Sequence, residues 1–121
     1  MTVLGIHHVQ LAMPPDEETR ATAFYEGLLG IPRVVKPPHL EIRGGCWFES
    51  KAVRVHLGVE TDFEPAMKAH PALLIEDLEA LRHRLVAAGV PVGDDEPLPG
   101  FHRLYVSDPF GNRIELLSPA S

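Results

Sequence analysis

Four side chains that could bind a metal ion occur at matching positions of an internal repeat. The segment beginning at His8 aligns with the one beginning at His70, and the segment ending at His56 aligns with the one ending at Glu115. Each half therefore places one donor near its start and another near its end. Imidazole nitrogens with one carboxylate oxygen suit Zn, Fe(II), Ni, Co or Mn better than Mg or Ca. The repeat predicts one shared divalent-metal site.

The first half reads as a strand, a helix and three further strands. Residues 3–13 alternate as a strand, and an apolar stripe beginning at Ala21 indicates an amphipathic helix. Asp16 is the expected N-cap, and Gly30 is expected to end the helix. The three following strands are predicted at residues 33–36, 41–49 and 52–60.

The second half repeats this order. A connector is predicted at residues 61–69, and residues 63–67 within it could form a helical turn. Asp77 is predicted to cap a helix that ends at Gly89. The segment 91–99 is rich in Pro, Gly and Asp, so any strand there should be short. The remaining strands are predicted at residues 70–76, 101–106 and 112–117, the last two joined by a turn at 107–112.

Strand periodicity separates the metal-donor candidates from the apolar residues. Side chains two apart share a face, so His8 lies with Gln10, whereas Val9 and Leu11 occupy the opposite face. The same parity at the other three donors predicts that all four point away from the helices. Gln10, on the His8 face, is a candidate for contact with the substrate. Arg43 and Trp47 share a face of the third strand and could hold an anionic or planar substrate, although Trp47 could equally be a core residue. Arg103, on a face with Phe101 and Tyr105, is a further candidate for substrate binding.

Composition limits the partners and the number of domains. With 121 residues the chain predicts one domain, 1–121, and a formal charge of -6 without Lys or Arg runs argues against nucleic acid or an anionic membrane. No apolar run approaches the roughly 20 residues needed to span a bilayer. The single Cys46 cannot form an internal disulfide, and no signal-like start follows Met1. We expect a cytoplasmic protein with a small-molecule substrate.

Three segments resemble the vicinal oxygen chelate superfamily, which includes glyoxalase I, extradiol dioxygenases and bleomycin resistance proteins. They are the opening IHHVQL at 6–11, AFYEGLLG at 23–30 and DPFGNRIEL at 108–116. The resemblance covers nearly the whole chain. It implies an α+β fold in which two βαβββ modules, 1–60 and 70–121, form a curved mixed sheet around a central cavity. It also implies a homodimer.

The resemblance also implies roles for the four donors. The family places metal ligands on the first and last strands of each module, positions held here by His8, His56, His70 and Glu115. His8, His70 and Glu115 match the two-histidine, one-carboxylate set of many metal-using members. His56 departs from the Glu or Gln usual at its position, so it could be a ligand or the catalytic base. Glu41 and Glu49 are alternative bases.

The leading functional hypothesis is a glyoxalase-like lyase or isomerase. Its metal would chelate adjacent substrate oxygens and stabilise an oxyanion, with His56 and Glu115 in the catalytic centre. One alternative is an Fe(II) extradiol-type dioxygenase, and another is a non-catalytic drug- or metabolite-binding protein of the bleomycin-resistance kind. The sequence leaves open whether the site lies within one chain or across two.

Overall fold

A computed structural model describes residues 1–120 of the chain. The chain divides into two compact units, residues 1–64 and the residues from Pro65 onward. Each unit contains one four-stranded mixed sheet and a main helix. The predicted α+β class and its strand-helix-three-strand order are confirmed.

The first unit has the strand order β1-β4-β3-β2. Strand β1 is parallel to β4, and the other neighbours are antiparallel. The main helix begins as α1 and continues in π-helical geometry over Ala23–Leu28, and a short helix α2 precedes β3. The bounds are β1 Val9–Met13, α1 Glu18–Thr22, β2 Arg33–Val34, α2 Pro38–Glu41, β3 Cys46–Glu49 and β4 Arg54–Val59.

The second unit repeats this arrangement with the strand order β5-β8-β7-β6. Strand β5 is parallel to β8, while β8, β7 and β6 pair in antiparallel fashion. The Asp77 side chain accepts a hydrogen bond from the Ala80 N–H at 3.1 Å, which confirms the predicted cap. The bounds are β5 Ala72–Leu74, α3 Leu78–Ala87, β6 Val92–Gly93, β7 Phe101–Ser107 and β8 Arg113–Pro119.

The core of each unit is formed by the apolar face of its sheet and the stripe of its helix. Val55 and Leu57 of β4 are buried, as are Ile114 and Leu116 of β8. The buried helix residues are Ala21, Phe24 and Tyr25 in the first unit and Leu78, Leu81 and Leu85 in the second. The predicted parity is therefore confirmed for the apolar faces of both central strands.

Several predicted element boundaries are wrong in the first unit. The first strand begins at Val9 rather than residue 3, because its ladder with β4 starts at the pair Val9 and Val55. Asp16 does not cap α1; it adopts a positive φ of 61°, and the helix starts at Glu18. Glu41, predicted to start the third strand, is the last residue of α2.

The third strand begins only after Gly44 and Gly45, whose φ angles of 73° and 80° are incompatible with a strand. A Cβ on Gly45 would lie 2.1 Å from the Leu57 carbonyl oxygen, so the approach of β4 requires glycine there. Arg43 consequently lies outside the strand and is exposed, contrary to prediction.

Outside the first unit's sheet, residues 63–67 form no helical turn. The predicted short strand in 91–99 is the two-residue β6, and the turn before β8 is confirmed, with Gly111 at a φ of 95°.

Among the described residues, no helix is long and apolar enough to cross a membrane.

Candidate functional site

His56 lies at the centre of the first unit's sheet, between aromatic rings. In the ladders its Cα pairs with Gln10 of β1 and with Trp47 of β3. The His56 ring stacks on the Trp47 indole at 4.1 Å between centroids and 5° between planes, and on the His8 ring at 4.2 Å and 20°. Two rings stacked this closely must cover opposite faces of the imidazole. Only the edge of the His56 ring is left for chemistry.

One edge of the His56 ring contacts a carboxylate. Its Nε2 lies 2.7 Å from Oε2 of Glu49, and the His56 side chain is only 4 % exposed. Burial lowers the pKa of His56 and outweighs the hydrogen bond to Glu49, which acts in the opposite direction. The imidazole is therefore neutral at neutral pH. Its Nε2–H donates to the carboxylate, which leaves the lone pair on Nδ1.

Three predicted substrate-binding residues of the first unit line one cavity of about 190 Å³. They are Gln10, Arg43 and Trp47, and they meet although Arg43 is not on the predicted strand. The Gln10 amide lies over Gly58. A Cβ added to Gly58 would lie only 2.6 Å from Nε2 of Gln10. Glu41, one of the alternative bases, lies on α2 and is exposed, whereas Glu49 contacts His56.

Glu115 occupies the position in the second unit that corresponds to His56 in the first. It is surrounded by hydrogen-bonding groups, whereas His56 is surrounded by stacked rings. Its Cα pairs with Ala72 of β5 and Tyr105 of β7. Oε1 of Glu115 accepts from His70 Nε2 at 2.9 Å and from the Tyr105 hydroxyl at 3.0 Å. Oε2 lies 3.5 Å from a guanidinium nitrogen of Arg103. The carboxylate is 8 % exposed, so these donors replace water.

Opposing effects set the charge of Glu115. Burial raises the pKa of this carboxyl, but the hydrogen bonds from His70, Tyr105 and Arg103 together outweigh burial and lower it. The carboxylate is ionised at neutral pH. Burial and the hydrogen bond to Glu115 raise the pKa of Tyr105, so its hydroxyl stays protonated as a donor.

The orientation of His70 is fixed from its second ring nitrogen. Nδ1 lies 2.9 Å from the Lys68 carbonyl oxygen, which can only accept, so Nδ1 carries a proton. With that proton on Nδ1, Nε2 donates to Glu115 when the ring is doubly protonated and otherwise turns its lone pair toward the carboxylate. Histidine ligands of metals are commonly held in this way, with one ring N–H on a backbone carbonyl. The His70 imidazole and the Glu115 carboxylate are side-chain types that can bind a divalent metal.

Each unit contains two of the four predicted donors. His8 and His56 belong to the first unit, and His70 and Glu115 to the second. Across residues 1–120, no group of three or more His, Cys, Asp and Glu side chains is placed to hold a metal ion. His8 precedes β1 and is exposed, with its Nδ1 2.9 Å from that of His7. The predicted four-ligand set remains a prediction.

Two residues that contact or line these sites, Tyr105 and Lys36, are not among the predicted site residues. The strand pattern places Tyr105 on a face with Arg103, but its hydrogen bond to Glu115 depends on the register of β7 and β8. Lys36, assigned only to a predicted strand, is buried and lines the Gln10 cavity. Arg103, predicted to bind substrate, lies beside Glu115, and it also donates to the Glu96 carbonyl oxygen at 2.8 Å.

The sequence matches the family model of the Glyoxalase/Bleomycin resistance protein/Dioxygenase superfamily over residues 5–116. No curated protein matches it. The fold is similar to the crystal structure of a protein from Bacillus anthracis provisionally assigned to the glyoxalase family, with 42 % identity and a TM-score of 0.93. That similarity covers 99 % of this chain and 98 % of the other.

Two more distant structures share the fold alone. The fosfomycin resistance protein FosX from Listeria monocytogenes is 16 % identical with a TM-score of 0.78, covering 98 % of this chain and 94 % of that one. TnmS3, an antibiotic binding protein from Streptomyces sp. CB03234, is 24 % identical with a TM-score of 0.70, covering 98 % and 100 %.

Proposed function

Because this chain belongs to the Glyoxalase/Bleomycin resistance protein/Dioxygenase superfamily, we propose that it is a metal-dependent lyase or isomerase acting on a small molecule. The observation that carries the proposal is the paired orientation of His70 and Glu115. His70 is anchored through Nδ1 to Lys68, and its Nε2 lies 2.9 Å from the Glu115 carboxylate. Two electron-pair donors facing each other are held together by a proton or by a metal cation.

The proposed metal ligands are His70, Glu115 and His8. When bound, a divalent cation would supply Lewis-acid stabilisation of negative charge that develops on substrate oxygens. Tyr105 and Arg103 hydrogen-bond the same carboxylate and would keep it ionised and oriented toward the cation. The ligand set of two histidines and one glutamate suits Zn, Mn, Fe(II), Co or Ni.

We assign His56 the role of general base rather than ligand. Its Nε2 is occupied by Glu49, and its pKa is lowered by burial, so the Nδ1 lone pair is available at neutral pH. Transfer of a substrate proton to Nδ1 would create an imidazolium beside the Glu49 carboxylate. That carboxylate would stabilise the imidazolium, as the acid of a catalytic dyad does.

Completion of the metal site requires a third ligand, which we propose comes from a second copy of the chain. His8 is exposed at the end of an arm whose apolar side chains Val3, Leu4 and Ile6 are each more than 80 % exposed. Such an arm favours burial against a partner surface. In a homodimer, His8 of one copy would join His70 and Glu115 of the other.

Metal titration tests this proposal. Protein stripped with a chelator should take up about one equivalent of Zn²⁺ or Mn²⁺ per chain, measured by elemental analysis after gel filtration. His70→Ala and Glu115→Ala should each weaken uptake at least tenfold, since each removes a ligand. His102→Ala is the matched control, because this exposed histidine lies on β7 but not on the Glu115 face. Equal uptake by all four proteins would refute the metal assignment.

Binding without catalysis is a second candidate, favoured by the completeness of the Glu115 hydrogen bonds. His70, Tyr105 and Arg103 satisfy the carboxylate as it stands. Such a preorganised polar group could recognise a ligand directly. A wild-type protein that takes up no metal but binds small molecules through Arg103 would support this candidate over the metalloenzyme.

A further inference from the structure

The cavity beside Gln10 is lined by two cations and no carboxylate. Lys36 and Arg43 stand in its wall with the Gln10 amide and the Trp47 indole, and aliphatic side chains complete it. Within the described residues, no Asp or Glu oxygen lies within 4 Å of either cationic group. In a chain whose formal charge is -6, this is a local excess of positive charge.

A neighbouring cavity of the same unit provides the contrast. It is larger, about 690 Å³, and Lys36 also lines it, together with Arg33. However, Glu26 and Glu41 stand in its wall, so its two positive charges are matched by two negative ones. Only on the Gln10 side does Lys36 face a wall without an acid. The charge imbalance therefore belongs to the Gln10 cavity.

The burial of Lys36 makes its unpaired charge informative. This residue is 7 % exposed, and its ammonium donates to the Gly44 carbonyl oxygen, which satisfies one of three N–H groups. The nearby Glu18 carboxylate instead accepts from the Gly45 N–H at 2.8 Å. Burying an ammonium without a counter-ion is costly, so such a group is retained where it meets an anion. Arg43 adds a guanidinium, which matches carboxylate and phosphate geometry.

From this arrangement we infer that the Gln10 cavity binds the anionic group of a small organic acid, either a carboxylate or a phosphoryl group. Lys36 and Arg43 neutralise the charge, the Gln10 amide donates to an oxygen, and the Trp47 indole covers the carbon skeleton. A volume of about 190 Å³ admits an acid of a few carbons. Trp47 also stacks on His56. The anion would thus lie beside the general base, a relation that rests on the proposed function.

The single tryptophan supplies a direct readout, because Trp47 lines the cavity. Full-length, chelator-treated protein is titrated with sodium phosphate and, separately, sodium acetate at constant ionic strength set with chloride. The indole N–H resonance of Trp47 should shift saturably with at least one of them. Tighter binding of phosphate would assign a phosphoryl group, and tighter binding of acetate a carboxylate.

Charge-removing variants decide whether the two cations are responsible. Lys36→Met and Arg43→Gln should each raise the apparent Kd at least tenfold. Lys51→Met and Arg84→Gln, which remove exposed cations elsewhere, should leave it unchanged. Arg43 is exposed and should be replaceable without loss of fold, so Arg43→Gln decides the matter even if Lys36→Met unfolds.

Two results would overturn the anion site: no saturable shift with either salt, or equal Kd values in wild type and Arg43→Gln. Because the protein is metal-free in this experiment, the outcome does not depend on the ligand set. Failure of anion binding would leave the metal proposal standing, and failure of metal uptake would leave the anion site standing.

Discussion

The two halves of the chain place His56 and Glu115 at equivalent points of equivalent sheets and surround them differently. Each residue lies on a central strand, with a parallel neighbour on one side and an aromatic residue on the other, Trp47 in one unit and Tyr105 in the other. The first unit stacks rings on its central residue, whereas the second directs hydrogen bonds at it. The repeated backbone fixes position, and side-chain type fixes chemistry.

This contrast has a physical consequence for the two roles. Stacked rings allow an imidazole to remain neutral and desolvated, which suits a base. Converging donors keep a carboxylate ionised, which suits a cation ligand. The proposed division between a base in the first unit and metal ligands in the second follows from these surroundings.

The largest expected loss of stability comes from disrupting the close backbone contact between Gly45 and β4, the strand that carries His56. Gly45→Ala should destabilise the protein by more than about 3 kcal/mol, since the new Cβ meets the Leu57 carbonyl oxygen and the φ of 80° is strained. Chemical denaturation measures the loss. Gly93→Ala in the second unit is the control, because its nearest contact is an ordinary 3.8 Å. Similar losses in both variants would contradict the asymmetry.

Removal of the Glu115 carboxylate should destabilise the second unit strongly. Glu115→Ala leaves the donors of His70, Tyr105 and Arg103 without their acceptor, which should cost about 2 to 4 kcal/mol. The free energy of unfolding is compared with that of Glu79→Ala, whose side chain is largely exposed on α3. A loss no greater than that of the control would show that the hydrogen bonds are not formed.

Cys46 reports on the first unit alone, since it is the only cysteine and is 1 % exposed on β3. Burial raises the pKa of its thiol from 9.0 to about 11, with Arg33 opposing the shift. The thiolate fraction at pH 8 should therefore be about 100-fold below that of an ordinary cysteine. Alkylation of folded protein should be at least that much slower than in denaturant, and its rate should rise with pH until about 11. Equal rates would place Cys46 outside the core.

The smallest loss of stability is expected at His56, whose surroundings are mainly stacked rings. His56→Phe keeps a flat ring between Trp47 and His8 and loses only the bond to Glu49, so it should cost about 1 kcal/mol. Calorimetric or denaturant unfolding would measure this. A cost matching that of Glu115→Ala would show that the His56 surroundings also depend on hydrogen bonds.

The sequence predicted the order of elements because helix stripes, caps and turns are local signals. It misplaced the start of the first strand because strand length depends on a partner. Residues 3–8 alternate, but the ladder to β4 begins at Val9. The third strand was extended to residue 41 because the pattern does not reveal that Gly44 and Gly45 adopt positive φ.

The residue types of the candidate site could be predicted from the sequence, but the contacts between their side chains could not. Internal alignment and strand parity identified His56 and Glu115, because both follow from local spacing. The bond from Tyr105 to Glu115 depends on cross-strand register, and the Lys36 environment depends on the Gly44 turn. Neither relation is encoded by spacing along a single strand.

The most direct test of the proposed division is a ¹H–¹⁵N spectrum of the imidazole rings recorded before and after one equivalent of Zn²⁺. We predict that the Nε2 resonances of His70 and His8 move to metal-bound positions, while His56 remains neutral with its proton on Nε2. A shift of His56 into the metal-bound range with His70 unmoved would contradict the assignment of base and ligands to the two units.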